Sequence, residues 1–366
     1  MKILVWQWGR RGAGPRFAAE LAATLRALPG HDAALSLSAQ AELLAGPAPP
    51  RCELPFPTYA GLAGLLRRLP AAPFQVGALA ARIRALAPDV ALCGMPAALD
   101  LLMAAALRRA GVPFLVVVHD AQAHPGDHFP PQIFLQRRLL RRADGMIALT
   151  RHVAGRLRAQ PGTDRKPLIL ATHPPFVFAP RPPPPRAHGG PLRLLSFGRL
   201  LPYKGLDLLA AALIQLGPRP DLDVRVVGSG PESAALATLR GLPGVRVENR
   251  WVPEEEIGAL LGWSDAMVLS HTEASQSGVA AAAIAARRWV VATRVGGLAE
   301  QLRGETLARL CDPAPESLAA ALRGLLESPP VMAGPGEDPQ AAWRRTAAEL
   351  VGHIAAVLGT RPPAGR

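Results

Sequence analysis

Two cations lie close together in the second half of the chain, in the segment GRLLPYKGLD that begins at Gly198. The segment follows an apolar stretch of strand character and leads into an apolar helix, so we expect Arg199 just after the strand and Lys204 at the start of the helix. Two positive side chains and the free amides of a helix start would together attract a diphosphate. Either cation alone could be a solvated surface charge, but the pair at one junction predicts a diphosphate site.

A second polar loop, HTEASQSGV, runs from His271 to Val279 and precedes a helix composed almost wholly of alanine. Small polar residues with a glycine leave backbone amides accessible, so we expect this loop to bind an anion and Ser275 to cap the helix. Glu273 could accept hydrogen bonds from ligand hydroxyl groups, although a carboxylate near a helix start also suits the helix dipole alone.

The first half has a glycine-rich loop, GRRGAGP, that begins at Gly9 after an apolar stretch of strand character. Its glycines would let backbone amides approach a ligand closely, and the helix after it would present its positive end to an anion. A tight turn between a strand and a helix would need the same residues. The loop is not a dinucleotide-binding fingerprint, because its spacing is wrong and no acidic residue stands where a ribose partner would be.

The segment HDAQAHPGDH, from His119 to His128, holds three histidines and two aspartates. These residue types can bind zinc. Their spacing matches no helical pair of ligands, however, and Pro125 with Gly126 forces a turn, so we expect no metal site here. His119 comes at the end of a strand, where it could hydrogen-bond a substrate.

The chain is strongly basic, with a formal net charge of +13 that comes almost wholly from arginine. The arginines are scattered as short pairs, without a basic stripe interleaved with aromatic residues, so nucleic acid is not the expected partner. A weak peripheral attraction to anionic lipid headgroups fits this charge better.

Location can be predicted from the cysteines and from the apolar stretches. Three cysteines lie far apart, which argues against a disulfide framework or a cysteine zinc site and fits a reducing compartment. The N-terminal apolar stretch is too short for a signal peptide, and no apolar run approaches the roughly 20 residues of a membrane span. We therefore expect a cytoplasmic protein.

Short apolar strands alternate with amphipathic helices along the whole chain, which predicts an α/β fold with parallel sheets. The strands of the first half are expected at 2–8, 33–38, 90–93, 114–119, 145–149 and 168–171, with helices at 15–28, 60–68, 77–86, 101–110, 131–142 and 151–158. The strands of the second half are expected at 192–198, 224–227, 245–248, 266–270, 290–293 and 307–310, with helices at 206–215, 233–239, 254–261, 277–288, 298–302, 315–327 and 339–358.

One segment, 179–190, contains too much proline and glycine to continue a helix or a strand, so it predicts a linker. The predicted domains are 1–178 and 191–330, followed by a helix at 338–358 that packs back on the first domain. Two facing Rossmann-like sheets would bind ligands in a cleft at the carboxyl ends of their strands.

Several segments, taken in order, resemble the family 4 retaining glycosyltransferases of the GT-B fold. In the second half they are GRLLPYKGLDLL, VVGSGPE, SDAMVLS and VVATRVGGLAE. In the first half, the glycine-rich loop, VVVHDAQAHPG and ADGMIALT resemble a bacterial branch of the family that acts in surface polysaccharide assembly. The ordered set carries the resemblance, since each segment alone is weakly specific.

The resemblance implies a transferase that needs no metal ion and no cofactor besides its donor, a nucleotide-diphosphate sugar. The acceptor would be a glycan or a lipid-linked glycan, and the configuration of the sugar would be retained. The implied catalytic residues are His119, Glu273, Arg199 and Lys204. The implied donor-binding residues are Gly12, Gly14, Gly228, Gly230, Gln276, Ser277, Gly278 and Val279, together with Arg199 and Lys204.

Two departures from the family pattern leave alternatives open. The family commonly has a second glutamate, taken to bind ribose, where this chain has Ala281, and a Gly-Lys-Pro where it has Arg287, Arg288 and Trp289. A non-catalytic GT-B-like subunit that binds a partner transferase or a glycan is therefore an alternative to the enzyme. A GT-B epimerase is another, but it would need acid and base carboxylates, and Glu273 and Asp120 are the only candidates that we find.

Overall fold

The computed structural model describes residues 1–68, 70, 72–126, 130–180, 182–332, 334 and 336–359. As far as these residues go, the chain forms two compact units. The first comprises Met1–Gln122, Phe129–Thr172 and Gln340–Arg366, and the second comprises Ala123–His128 and His173–Pro339.

A parallel six-stranded sheet forms the centre of the first unit, with the order β2-β1-β3-β4-β5-β6. Its strands are almost wholly apolar because helices cover both faces of such a sheet. The strands are β1 (Lys2–Gln7), β2 (Asp32–Leu37), β3 (Val90–Cys93), β4 (Phe114–Val118), β5 (Gly145–Ala148) and β6 (Leu168–Leu170). The helices are α1 (Ala13–Ala27), α2 (Glu42–Ala45), α3 (Gly61–Arg68), α4 (Ala72–Leu86), α5 (Asp100–Ala110), α6 (Pro130–Arg142) and α7 (Arg151–Arg158).

The second unit has the same architecture, with a parallel sheet of order β12-β11-β10-β7-β8-β9. Its strands are β7 (Leu192–Phe197), β8 (Leu222–Gly228), β9 (Val245–Asn249), β10 (Ala266–Leu269), β11 (Trp289–Thr293) and β12 (Ala308–Cys311). Its helices are α8 (Leu206–Leu216), α9 (Ala234–Gly241), α10 (Glu254–Trp263), α11 (Gly278–Ala285), α12 (Gly296–Gln301) and α13 (Pro315–Glu327). The prediction of two Rossmann-like units with parallel sheets is confirmed.

The last described helix, α14 (Pro339–Gly359), belongs to the first unit from Gln340 onward, and the ring of Trp343 lies 5.6 Å from that of Phe17 in α1. Within the described part of the chain, no helix combines the length and the apolar character that a membrane span requires.

Most predicted elements are correct to within a few residues, and two differences have a clear cause. The short helix α2 was not predicted, because its single turn has no periodicity to detect. The alanine helix α11 ends at Ala285, three residues before the predicted end. Arg287 takes a positive φ of 51° there, which reverses the chain into β11.

The predicted linker contacts the second unit through a buried carboxylate. Asp265 accepts hydrogen bonds from the backbone amides of Arg186 (2.6 Å) and Arg193 (2.9 Å), and its other contact is the Nε2 atom of His188 (2.9 Å). In its described residues, the segment is thus bound to the second unit by specific hydrogen bonds.

Within the departure from the family pattern at 287–289, Arg288 and Trp289 make hydrogen bonds that hold neighbouring segments of the second unit. The buried guanidinium of Arg288 donates to the carbonyl groups of Ser264 (2.7 Å), Ala286 and Pro183, the last of which lies in the predicted linker. Trp289 begins β11, and its indole donates to the carbonyl of Pro330 (3.0 Å). These residues support the fold of the second unit, a role that the sequence alone did not reveal.

The first unit contains a fully buried carboxyl group, that of Asp100 at the start of α5. It accepts hydrogen bonds from the indole of Trp6 (3.1 Å), the amide of Ala97 (2.7 Å) and the thiol of Cys93 (3.4 Å). Burial raises the pKa of Asp100 from 3.8 to about 7, since these donors offset only part of the desolvation cost of the charged form.

This carboxyl group predicts a pH dependence of stability. Because the pKa of Asp100 is raised in the folded state, the protonated carboxyl group contributes fully to the free energy of unfolding below pH ~4. This contribution is lost as the pH rises through about 7. We expect the free energy of opening of the first unit, measured by hydrogen exchange of β1 and β3 amides, to fall by about 4 kcal/mol more in the parent than in Asp100→Asn as the pH rises over this range. An equal pH dependence in the parent and in the variant would contradict the raised pKa.

Candidate functional site

The order of strands in the second sheet marks one position for a ligand. Strand β8 pairs with one side of β7, and β10 pairs with the other side. The loops that follow β7 and β10 therefore diverge at the carboxyl ends of these two strands. Open α/β sheets bind ligands at such a position. The two polar loops predicted from the sequence are the loops that follow these two strands.

Direct hydrogen bonds join the two loops. The Oγ atom of Ser270 donates to the carbonyl of Lys204 (2.9 Å), and the amide of Thr272 donates to the carbonyl of Tyr203 (2.9 Å). Gly205 allows this approach, because a Cβ atom there would overlap the carbonyl oxygen of Ser270. The backbone thus brings together residues that are almost 70 positions apart.

Both predicted cations contact one buried tyrosine. The guanidinium of the exposed Arg199 donates to the Oη atom of Tyr203 (2.8 Å), and its Cζ atom lies 5.6 Å from the ring centroid. The Nζ atom of Lys204 lies 5.0 Å from the same centroid. A cation within about 6 Å of an aromatic ring is attracted by its quadrupole. Tyr203, which was not predicted as a site residue, therefore holds the two cations near each other.

The position of Lys204 differs from the prediction in one respect. It is the last residue of a short 3-10 helix, Pro202–Lys204, and Gly205 separates it from α8 with a φ of 63°. Lys204 therefore precedes the helix start instead of lying on it, because the left-handed glycine turns the chain between them.

Lys204 also contacts a buried histidine. Its Nζ atom lies 2.8 Å from the Nε2 atom of His271. Burial lowers the pKa of His271 well below its usual value, and the charges of Lys204 and His124 lower this pKa further. The imidazole is therefore neutral at pH 7 and accepts a hydrogen bond from the ammonium group, which orients Lys204. A small pocket beside this pair is lined by Ser196, Phe197, Arg199, Leu200, Lys204 and His271, among others.

The predicted ligand glycines Gly228 and Gly230 have a structural role. A Cβ atom on Gly228 would overlap the carbonyl oxygen of Gly198, and one on Gly230 would overlap that of Leu200. The amide of Leu200 donates to the carbonyl of Ser229 (2.9 Å) in the same place. The two glycines therefore let the loop that carries Arg199 lie against the end of β8, and direct contact with a ligand stays a prediction.

The cap of the alanine helix is Ser277, and the prediction of Ser275 is wrong. The Oγ atom of Ser277 accepts a hydrogen bond from the amide of Ala280 (3.2 Å). The side-chain amide of Gln301 bonds both the amide (2.9 Å) and the carbonyl (3.0 Å) of Ser277, which fixes the helix start there. Gln276, Gly278 and Val279 lie partly exposed around this helix start. Their backbone is where an anion would approach the helix.

Ala281 is packed in the interior of the second unit. Its side chain is 1% exposed, and its carbonyl accepts a hydrogen bond from the amide of Phe176 (3.3 Å). A carboxylate at this position would be largely buried and would need a partner to offset its desolvation, whereas alanine packs there without this cost.

Glu273 lies beside a histidine from the first half of the sequence. The Oε2 atom of Glu273, which is 29% exposed, is 3.9 Å from the Nδ1 atom of His124. The His124 ring stacks on Tyr203, with centroids 4.5 Å apart and an angle of 17° between the planes. His124 thus lies between the candidate sugar-binding carboxylate and the tyrosine that holds both cations. Sequence reasoning considered His124 only as a metal ligand.

The histidine segment does not supply a metal-binding group in the described part of the chain. No cluster of three or more histidine, cysteine, aspartate or glutamate side chains that could hold a metal ion is found there. His128, the third histidine of that segment, lies outside the described residues.

The remaining predicted residues, His119, Gly12 and Gly14, belong to the first unit. Gly12 precedes α1 with a φ of 81°, and a Cβ atom on Gly14 would crowd the buried side chain of Gln7. His119 follows β4, and its Nε2 atom lies 2.8 Å from the carbonyl oxygen of Gly94. Its ring packs edge-on against Phe17 of α1, and burial lowers the pKa of His119. These residues lie near the carboxyl ends of β1, β3 and β4.

Two family models match the two units. Residues 191–328 match the model described as glycosyl transferases group 1, and residues 12–172 match the glycosyl transferase 4-like domain. A curated relative, the 2-deoxystreptamine glucosyltransferase of Streptomyces kanamyceticus, is 29% identical in an alignment of 256 residues that covers 62% of this chain. The chain spans 65% of the length of that relative.

Solved structures show the same fold. The HepE protein of Anabaena, in complex with UDP and glucose, superposes with a TM-score of 0.70 at 18% identity, covering 99% of this chain and all of that one. Sucrose-phosphate synthase of Thermosynechococcus elongatus superposes with a TM-score of 0.65 at 16% identity, covering 97% of this chain and 94% of that one. With the two matched domains and the two parallel sheets, these findings show that the chain belongs to the group 1 glycosyltransferases and has the GT-B fold.

Proposed function

We propose that this glycosyltransferase moves a sugar from a nucleotide-diphosphate sugar to a glycan or a lipid-linked glycan in bacterial polysaccharide assembly. The transfer retains the configuration of the sugar and needs no metal ion. One observation carries the proposal: Arg199 and Lys204 flank Tyr203 where the loops after β7 and β10 meet. The UDP and glucose in the HepE structure also support a nucleotide-sugar donor.

In this reaction, negative charge develops on the departing diphosphate as its bond to the sugar breaks. Arg199 and Lys204 stabilise this charge, and two protein cations supply the positive charge that a metal ion provides in other transferases. The neutral His271 orients the ammonium group of Lys204 without competing for the anion. The hydroxyl group of the acceptor attacks the sugar carbon from the face that the diphosphate leaves, and its proton passes to a departing phosphate oxygen.

The sugar itself is bound by other residues. Glu273 accepts hydrogen bonds from its hydroxyl groups, and the backbone of Gln276, Ser277, Gly278 and Val279 binds the distal phosphate at the start of α11. For His119 and for the glycine loop with Gly12 and Gly14, which belong to the first unit, contact with the donor stays a prediction.

The proposal is tested by measuring thermal stabilisation and slow donor hydrolysis with a panel of nucleoside diphosphates and nucleotide sugars. UDP and UDP-glucose are the first pair to try. We expect stabilisation by one nucleoside diphosphate and release of its free sugar with the donor's anomeric configuration, both unchanged by a chelator. No response to any nucleotide would favour the non-catalytic subunit, and recovery of an isomerised sugar would favour an epimerase.

Exposed apolar side chains on helices of the first unit support an acceptor at the inner face of a membrane. Among the described residues, these side chains include Phe74 (88% exposed), Leu66 (59%) and Phe134 (53%). The formal net charge of +13 would add attraction to anionic lipid. We expect the protein to cosediment with anionic vesicles but not with neutral vesicles. If the same share of the protein sedimented with both kinds of vesicle, this part of the proposal would be contradicted.

A further inference from the structure

We propose that His124 is a positioning residue of the donor site, which orients Glu273 toward the donor sugar and so favours the sugar-bearing donor over the free nucleoside diphosphate. The inference rests on the proposed function and deepens it. His124 lies on the segment Ala123–His128, which follows β4 in sequence but packs within the second unit as far as it is described.

The His124 ring is confined on several sides. Its face stacks on Tyr203 at 4.5 Å, its Nε2 atom lies 3.5 Å from the Oγ atom of Ser275, and its Nδ1 atom points at Glu273, 3.9 Å from the nearer carboxylate oxygen. The side chain is only 4% exposed. A ring confined in this way can rotate little, so the direction of its Nδ1 atom is set before a ligand arrives.

The backbone around His124 supports the same placement. Gly126, two residues later, has a φ of 82°, and a Cβ atom on it would overlap the ring of Pro202. Pro202 begins the 3-10 helix that ends at Lys204. A glycine at this position lets the segment press directly against the turn that carries the diphosphate-binding cation.

Charges of both signs face His124. Glu273 lies on the Nδ1 side, and the cations Arg199 and Lys204 lie around the Tyr203 ring on which His124 stacks. Glu273 is partly exposed, so its carboxylate is accessible to a ligand. A positively polarised Nδ1–H group 3.9 Å away attracts the nearer carboxylate oxygen and so favours the orientation in which the other oxygen is left for a ligand hydroxyl group.

This arrangement separates two contributions to donor binding. Arg199 and Lys204 bind the diphosphate, which is common to the free nucleotide and the nucleotide sugar. Glu273 binds only the sugar. Loss of the positioning group should therefore weaken binding of the nucleotide sugar and leave the binding of the nucleoside diphosphate unchanged.

The experiment compares dissociation constants for the nucleoside diphosphate and the nucleotide sugar that stabilise the parent most, beginning with UDP and UDP-glucose. His124→Phe keeps the aromatic stack on Tyr203 and removes both ring nitrogens, whereas His124→Gln keeps a hydrogen-bond donor. For His124→Phe we expect an unchanged Kd for the nucleoside diphosphate and a Kd for the nucleotide sugar raised about tenfold. Partial recovery is expected for His124→Gln, and adding Glu273→Gln to His124→Phe should cause little further loss.

Each other outcome has a definite meaning. If His124→Phe raised the Kd of both ligands equally, His124 would only support the fold of the loop. If neither Kd changed, His124 would not act on Glu273. Both results would overturn the inference while leaving the proposed function intact. A parent protein that binds no nucleotide would overturn the proposed function itself, and the role of His124 with it.

Discussion

Lys204→Ala is expected to lower the rate of sugar transfer by about 10²-fold and to remove most of the thermal stabilisation by a nucleoside diphosphate. The ammonium group lies on the Tyr203 ring and is oriented by the neutral imidazole of His271. Such a preorganised cation stabilises the diphosphate most when the bond to the sugar is breaking. The loss should therefore appear in kcat as well as in donor binding.

The matched control for Lys204→Ala is Arg303→Ala, which removes one positive charge from an exposed residue that follows α12 of the same unit. This variant should bind and react as the parent does, because a solvated charge away from the two loops contributes little. Equal losses in both variants would show that overall charge, and not the position of Lys204, attracts the nucleotide. Full activity of Lys204→Ala would remove this residue from the mechanism.

Gly205→Ala is expected to destabilise the second unit by about 3 to 5 kcal/mol and to abolish nucleotide binding with it. Gly205 has a φ of 63°, and an added Cβ atom would overlap the carbonyl oxygen of Ser270 at the end of β10. Since backbone atoms cannot move aside as a flexible side chain can, the loops after β7 and β10 would have to separate. Chemical denaturation with hydrogen exchange of β7 and β10 amides would measure the loss.

Gly111→Ala is the matched control for this substitution. Gly111 follows α5 with a φ of 74° and a ψ of 17°, in the left-handed region that Gly205 also occupies, but nothing lies within 4 Å of the position of its added Cβ atom. It should therefore cost only about 1 kcal/mol, the penalty of the left-handed conformation, and should leave nucleotide binding intact. If both variants lost the same stability, the close approach of the two loops would not be what requires glycine at position 205.

Much of the fold could be predicted because apolar residues follow one another in the buried strands but recur every three to four residues in the amphipathic helices. The strand β4, with the sequence FLVVV, is buried at all five positions and has no polar residue that could confuse its assignment. The loops of the site were found for a related reason. Arg199 and Glu273 are polar residues in the loops that follow apolar strands, where parallel sheets bind ligands.

The residues that join the site were not predictable, because they depend on contacts distant in sequence. Ser275 and Ser277 are both suitable helix caps, and Gln301, 24 residues after Ser277, decides between them. Tyr203 offered one signal, as a bulky aromatic residue between two cations in a polar loop. His124 offered none, since its stacking on Tyr203 spans almost 80 positions.

A crystal structure with a bound nucleoside diphosphate tests the central claim most directly. The account predicts diphosphate oxygens within hydrogen-bond distance of the Nζ atom of Lys204 and of the guanidinium of Arg199, beside the start of α11. A diphosphate bound elsewhere, with both cations still directed at Tyr203 and His271, would contradict it.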